Sequence, residues 1–197
     1  MSLQTKVSAV ILAGGQAQRM NHRDKGLVHL HGRPMISYVL AAVEPLVDQV
    51  LVNANRNHAI YEQFGWPVIA DSSTRFDGPL AGILAALRHT DADILLVAPC
   101  DSPFIKTAHL RRLLAAQAAQ DADVAVAFDG ERLHPVFLAI KTGLKASLQD
   151  YLDSGQRKIG RWLEQHSPIK VDFSDEPAVF ANVNTLTELA AWEAKAV

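Results

Sequence analysis

Leu12-Ala13-Gly14-Gly15, followed by Arg19 and, across a polar loop, by Lys25-Gly26, is a combination that could hold phosphate. Adjacent glycines let a backbone approach a ligand closely and turn N–H groups toward it, while an arginine and a lysine add a planar fork and a point charge. A Gly-Gly pair taken alone is also what an ordinary turn looks like. The pattern is neither the dinucleotide fingerprint G-x-G-x-x-G nor the P-loop G-x-x-x-x-G-K-[ST], so the usual dehydrogenase and ATPase chemistries lose their main support. Asn53, Asp71 and Asp101 each follow a short apolar run, where asparagine and aspartate commonly serve as turn residues or helix caps. Facing one crevice together, they would make a polar floor. Asp101 is the candidate Mg²⁺ ligand, because that ion is usually held by one or two carboxylates and completed by phosphate and water. Gly78-Pro79-Leu80-Ala81-Gly82 could open a helix whose free N–H groups suit an anion or a polar base edge.

Farther on, His134 before Pro135 could bind a phosphate or serve as a satisfied loop residue. Arg157-Lys158 offers paired cations to a second anionic substrate, against the plainer role of an exposed helix start. Asn184-Thr185 reads as an N-cap that could also lend an uncharged oxygen to the metal. Cys100 is the only cysteine, expected to be a buried small residue because no histidine partner is evident. His29 and His31, alternating with Val28 and Leu30, suggest a small polar strand face, and no cysteine pair supports zinc.

The elements that must position these residues alternate. Short, nearly continuous apolar runs at 7–12, 49–53, 67–70, 93–98 and 123–128 read as strands buried on both faces. Between them, 34–46, 57–64, 79–89 and 107–120 carry apolar residues at helical spacing; Pro34 and Pro79 stand where a helix can begin, and Leu80, Ile83, Leu84 and Leu87 share one face. After Gly130 the rhythm changes, with strands at 135–140 and 169–173 and helices at 144–151, 159–165 and 184–195. This order predicts a single α/β domain over 1–197, a three-layer α/β/α sandwich around a mostly parallel, Rossmann-like sheet with right-handed crossovers. Ligands of such sheets bind beyond the carboxyl ends of the strands, which is where Gly14, Asn53, Asp71 and Asp101 fall.

Composition narrows the partners. Of 197 residues 49% are hydrophobic and 20% charged, and 19 basic against 21 acidic residues leave a formal charge of −2. That balance lacks the basic stripe of a general nucleic-acid binder, and Trp66, Trp162 and Trp192 are too scattered for a stacking platform. No apolar run reaches the roughly 18 residues of a membrane span. A lone thiol and a start without a secretory pattern fit a reducing cytoplasm.

At these positions the chain resembles the nucleotidyltransferases with a glycosyltransferase-A-like fold, the nucleotide-diphospho-sugar transferase type, and among them the molybdenum cofactor guanylyltransferase family. The resemblance rests on Leu12-Ala-Gly-Gly-x-x-x-Arg19-Met20, Asp24-Lys25-Gly26, Val52-Asn53-Ala54-Asn55-Arg56, Asp71, Gly78-Pro79-Leu80-Ala81-Gly82 and Pro99-Cys100-Asp101-Ser102-Pro103. It continues through Asp129-Gly130-Glu131-Arg132, His134-Pro135 and Asn182-Val183-Asn184-Thr185, and spans residues 7 to about 192. Asn21 stands where the family commonly has glycine, and Leu186 where proline often follows Asn-Thr. Related cytidylyltransferases usually carry alanine at the position of Gly14, which favours GTP over CTP.

The resemblance implies transfer of GMP from GTP to the terminal phosphate of molybdenum-molybdopterin, with Mg²⁺ on Asp101 and Asn184 as a second ligand. The same resemblance makes about 7–128 the nucleotide-binding part and about 129–197 the acceptor-binding and closing part. Arg19 and Lys25 would stabilise the triphosphate and the leaving pyrophosphate, making Asp101, Lys25 and Arg19 the catalytic set. Leu12, Ala13, Gly14, Gly15, Asn53, Asp71, Pro79, Leu80 and Gly82 would bind the nucleotide, Asp71 through a hydroxyl or a base N–H. His134, Arg157, Lys158 and Asn182 are the acceptor candidates. The molybdenum-insertion protein and molybdoenzyme maturation chaperones stand as candidate partners. A cytidylyltransferase acting on a pterin or sugar phosphate, or a non-catalytic GTP-binding module, are the alternatives.

Overall fold

A computed structural model describes residues 5–15, 24–72, 78–183 and 186–194. Among them, nine strands and seven α-helices alternate: β1 (Val7–Leu12), β2 (His29–Leu30), β3 (Arg33–Pro34), α1 (Met35–Val43), β4 (Gln49–Asn53), α2 (His58–Tyr61), β5 (Val68–Ile69), α3 (Pro79–Arg88), β6 (Ile94–Pro99), α4 (Thr107–Ala119), β7 (Val124–Phe128), β8 (Leu133–Lys141), α5 (Lys145–Asp153), α6 (Ile159–Glu164), β9 (Ile169–Asp172) and α7 (Leu186–Glu193). Seven strands form one sheet in the order β5-β4-β1-β6-β8-β7-β9. β8 alone runs against its neighbours, so the sheet is mostly parallel as the alternation predicts. The strand from 133–141 lies between β6 and β7, which knits the two sequence halves into the same sheet.

β1 and β6 are the centre of the sheet, and their continuous apolar sequences follow from burial on both faces. One face carries α1 and α4 over Ile11, Val50, Leu96 and Ala125; the other carries α3, α5 and α6 over Val10, Leu51, Leu95 and Leu138. α3 is buried nearly all round, beyond the single face its periodicity suggests, because α5 covers its outer side. A smaller cluster of Val28, Leu30, Met35 and Val183 ties the β2–β3 hairpin to α7, where the Phe104 and Trp192 rings meet at a tilt of 42° with centroids 4.2 Å apart.

Sequence expectations shift in detail. Pro34 pairs with His29 and precedes α1 instead of opening it, since its φ of −56° is accompanied by an extended ψ of 137°. His31 belongs to the hairpin turn (φ 47°), so only His29 stays on the strand. The run at 57–64 is one α-turn completed by a 3₁₀ turn, ended at Gly65 by its φ of 85°. Between β7 and β8 the register jumps: Val126 faces Leu138, but Ala127 faces His134. Pro135, which has no N–H to give the ladder, sits in the extra segment with Val136 and Phe137, and the bulge turns Val136 toward the carboxyl edge of the sheet. No helix among the described residues is long and apolar enough to cross a membrane.

Candidate active site

The segment after β1 is pinned from both sides. Ala13 N–H donates to the Asn53 carbonyl (2.8 Å), and Cys100 N–H donates to the Leu12 carbonyl (3.1 Å), extending the parallel pairing past the strand ends. Leu12 to Gly15 therefore crosses the carboxyl edge between the ends of β4 and β6. Beneath it lies a cavity of about 430 Å³. It is lined by Leu12, Ala13, Gly14 and Gly15 after β1, by Asn53 and Asp71, by Gly78 and Pro79 at the start of α3, by Asp24 and Lys25, by Pro99, Cys100 and Asp101 at the end of β6, and by Val136. Leu80 is fully buried in the core and lends the cavity no side chain, whereas Gly82 acts from behind: a Cβ there would stand 2.2 Å from Asn53 Oδ1. Only glycine lets α3 come this close to β4.

Two amides set the acidic wall. Asn53 Nδ2 donates to Asp71 Oδ1 (2.9 Å) and Asn55 Nδ2 to Asp71 Oδ2 (2.8 Å), while the Asp71 N–H donates to Asn55 Oδ1 (2.9 Å). Opposite, Lys25 Nζ bonds Asp101 Oδ2 at 3.0 Å, with Lys25 a quarter exposed and Asp101 nearly buried. Lys25 starts a 3₁₀ turn whose preceding residue, Asp24, is buried. Asp24 accepts from the Tyr61 hydroxyl and from Asn57 Nδ2 (3.0 Å), and Arg56 Nε lies 3.5 Å away while its Nη2 donates to the Gly15 carbonyl (3.2 Å). The glycine loop and the lysine turn are thus roped to one buried carboxylate. Burial above all, then the neighbouring Cys100 and the bonded Asp24, push the Tyr61 hydroxyl far above the usual tyrosine range, so it remains a donor. Burial, then the charges of Asp101 and Asp24, likewise hold the Cys100 thiol well above its ordinary value. Cys100 is an inert filler, as expected from its lack of a histidine partner.

The acceptor candidates lie apart from one another. Asn182 is nearest the carboxylates: its Oδ1 accepts from Ser102 (2.6 Å), and Val183 N–H donates to the Asp101 carbonyl (3.3 Å). His134 Nε2 bonds Asp129 Oδ2 at 2.6 Å and the ring stacks on Phe180, a well-anchored arrangement. Arg157 Nη1 donates to the carbonyls of Leu152 (2.7 Å) and Gln156 (2.6 Å), closing the end of α5 beside Lys158, which caps α6. β8 ends opposite the start of β6, and α5 packs on α3; Arg157 and Lys158 are not among the residues lining the cavity. Arg19, Asn21 and Asn184 lie outside the described residues, as does the side chain of Leu186.

The MobA-like NTP transferase domain family matches residues 9–169. The chain belongs to this family. It is 48% identical to the molybdenum cofactor guanylyltransferase of Shewanella loihica over 93% of each chain, and 51% identical to that of Shewanella frigidimarina over 91% of this chain and 92% of the relative. Molybdopterin-guanine dinucleotide biosynthesis protein A from Archaeoglobus fulgidus superposes with a TM-score of 0.80 at 25% identity, covering 94% of this chain and 96% of that one. This MobA-like chain is thus a nucleotidyltransferase, and its sheet has the fold expected of one.

Around that MobA-like cavity, residue typing alone undervalued Asn55, Asp24 and Tyr61. Asn55 had a legible signal: it belongs to the Val52-Asn53-Ala54-Asn55-Arg56 segment that carries the resemblance, just past the end of β4. Asp24 stood in the Asp24-Lys25-Gly26 segment, but nothing in the sequence marked Tyr61 as its partner, because 37 residues separate them and only the packing of α2 against the lysine turn joins them.

Proposed function

We propose that the chain transfers GMP from GTP to the terminal phosphate of molybdenum-molybdopterin, giving molybdopterin guanine dinucleotide and pyrophosphate. The observation carrying this reading is the Lys25–Asp101 pair facing the Gly14-Gly15 loop across one cavity, in a chain nearly half identical to guanylyltransferases along almost its whole length. An oxygen of the acceptor phosphate attacks the α-phosphorus, a new P–O bond forms, and the bond to the β-phosphate oxygen breaks with its electron pair leaving on pyrophosphate. A phosphate monoester has a second pKa near 6 and is already ionised at neutral pH, so no general base is required. The work left to the protein is alignment and charge neutralisation.

Gly14 and Gly15 bring backbone against the nucleotide, Asp71 and Asn53 hold its polar groups, and the N-terminal end of α3 at Gly78-Pro79 adds N–H groups and the positive end of the helix dipole. Lys25 and Arg19 neutralise phosphate charge. Mg²⁺ fits the donor set: the Asp101 carboxylate lines the cavity, and Mg²⁺ asks for only one or two carboxylates beside phosphate and water. Asp101 would hold it, with Asn184 as second ligand, and the bound ion would offset phosphate charge. Asn182, tied to Ser102 beside Asp101, is the best supported acceptor contact; His134, Arg157 and Lys158 complete the acceptor set. The reaction belongs in the cytoplasm, with the molybdenum-insertion protein and molybdoenzyme maturation chaperones as the partners at either end.

Pyrophosphate release by the purified protein with Mg²⁺, supplied with GTP or CTP and with or without molybdenum-molybdopterin, tests this. Release with GTP plus acceptor only is the expected result. Release with CTP overturns the base assignment, and GTP binding without release overturns the reaction.

A further inference from the structure

Asn55 is exposed, and water could satisfy its amide, yet its side chain engages Asp71 at two points: Nδ2 on the carboxylate and Oδ1 on the backbone N–H. Asn53, buried at 2% exposure, supplies the matching donor to the other carboxylate oxygen. Each Asp71 oxygen therefore accepts one amide N–H among the described residues. An ionised carboxylate has about four acceptor sites, so each oxygen keeps capacity for a second donor. Two acceptors side by side, fixed in rotation on a cavity wall, match two parallel N–H donors on one base edge. Guanine presents such a pair, its ring N1–H and its 2-amino group, whereas cytosine and adenine present a ring-nitrogen acceptor at the corresponding place.

We propose that Asn55 is a positioning residue for base selection: by fixing the rotation of the Asp71 carboxylate, it makes both oxygens available together to the N1–H and 2-amino group of guanine. Gly14 is the second part of the device. A Cβ on Gly14 would stand 3.1 Å from Asn55 Nδ2 and 3.4 Å from Asn53 Oδ1, so alanine there crowds the amide against its carboxylate partner. The absent side chain at 14 leaves room for the Asn55 amide that holds the carboxylate. This inference rests on the GTP reading above and adds the residues that enforce it.

ITP differs from GTP only in lacking the 2-amino group, which makes the ratio of the two affinities the sensitive readout. Calorimetric titration of the full-length protein with GTP and with ITP, both with Mg²⁺, is run on the parent, Asn55→Ala and Gly14→Ala. The parent is expected to prefer GTP. Asn55→Ala should cut that preference about tenfold, the worth of one hydrogen bond to a charged group, with ITP affinity held within a few-fold. Gly14→Ala should move the ratio in the same direction. A purely structural role for Asn55 would weaken both nucleotides alike, so an unchanged ratio, or equal loss of both, overturns the proposal. A parent that binds GTP and ITP equally overturns the base-edge contact itself. A parent that binds neither nucleotide defeats the GTP reading as well, and the two failures are told apart by that single control.

Discussion

Gly82→Ala isolates the close approach of α3 to the nucleotide wall. The added Cβ would stand 2.2 Å from Asn53 Oδ1, 2.8 Å from its Cγ and 2.9 Å from Leu12 Cδ2, so Asn53, buried at 2% exposure and lining the cavity, must shift. Overpacking of a tight core costs about 1–3 kcal/mol. Displacing Asn53 also weakens its bond to the Asp71 carboxylate, worth about 1.5–3 kcal/mol for a charged acceptor. Against this, alanine gains about 1 kcal/mol over glycine in a helix. The net expectation is a loss of about 1.5–5 kcal/mol in urea unfolding and a weaker affinity for GTP by calorimetry. Gly160, inside α6, is the internal control: nothing lies within 4 Å of a Cβ there, so Gly160→Ala should be neutral or up to about 1 kcal/mol more stable. Wild-type stability and GTP affinity in Gly82→Ala would refute the reasoning.

Asp101→Asn preserves shape but removes charge. Lys25 is a quarter exposed and can still donate to the amide oxygen, so turnover should fall at least about tenfold with a smaller effect on unfolding, and normal turnover with Mg²⁺ would remove Asp101 from the mechanism. Lys25→Ala should lower kcat/KM for GTP about 10²- to 10³-fold, the usual cost of losing one donor to developing charge, and unchanged steady-state constants would place Lys25 outside the site. Tyr61→Phe keeps the ring but deletes the hydroxyl's bond to buried Asp24, so stability should drop by about 1–3 kcal/mol in urea; no loss would show that Asn57 and Arg56 suffice. Asp129 is held well below the usual carboxylate range, first by the Arg132 N–H, then by His134 and the Glu131 N–H. A depressed folded pKa adds stability that is complete above the unfolded value of about 3.9 and disappears as pH falls through the folded one. Asp129→Asn should therefore be less stable than the parent at neutral pH, with the gap closing below about pH 4, and a gap independent of pH would contradict the assignment.

How much of this was legible in the chain varies with the range of the interaction. The apolar runs at 7–12 and 49–53 coincide with β1 and β4 because strands buried on both faces need unbroken hydrophobic sequence, a local requirement. Strand order could not be read so directly: β8 slips antiparallel between β6 and β7, a choice made by pairing between distant segments. Residue types at the strand ends pointed to Leu12 through Gly15, Asn53, Asp71 and Asp101, and parallel topology brings them to one edge, so their meeting in a single cavity follows from local pattern plus one general rule. That Lys25 would pair with Asp101, 76 positions away, that Asn55 would hold Asp71, and that Tyr61 and Arg56 would share Asp24 were decided only by packing. A chain specifies its own periodicity and chemistry residue by residue, but the partner of a side chain depends on which distant segment arrives beside it, and that is settled only when the sheet and its helices close around the core.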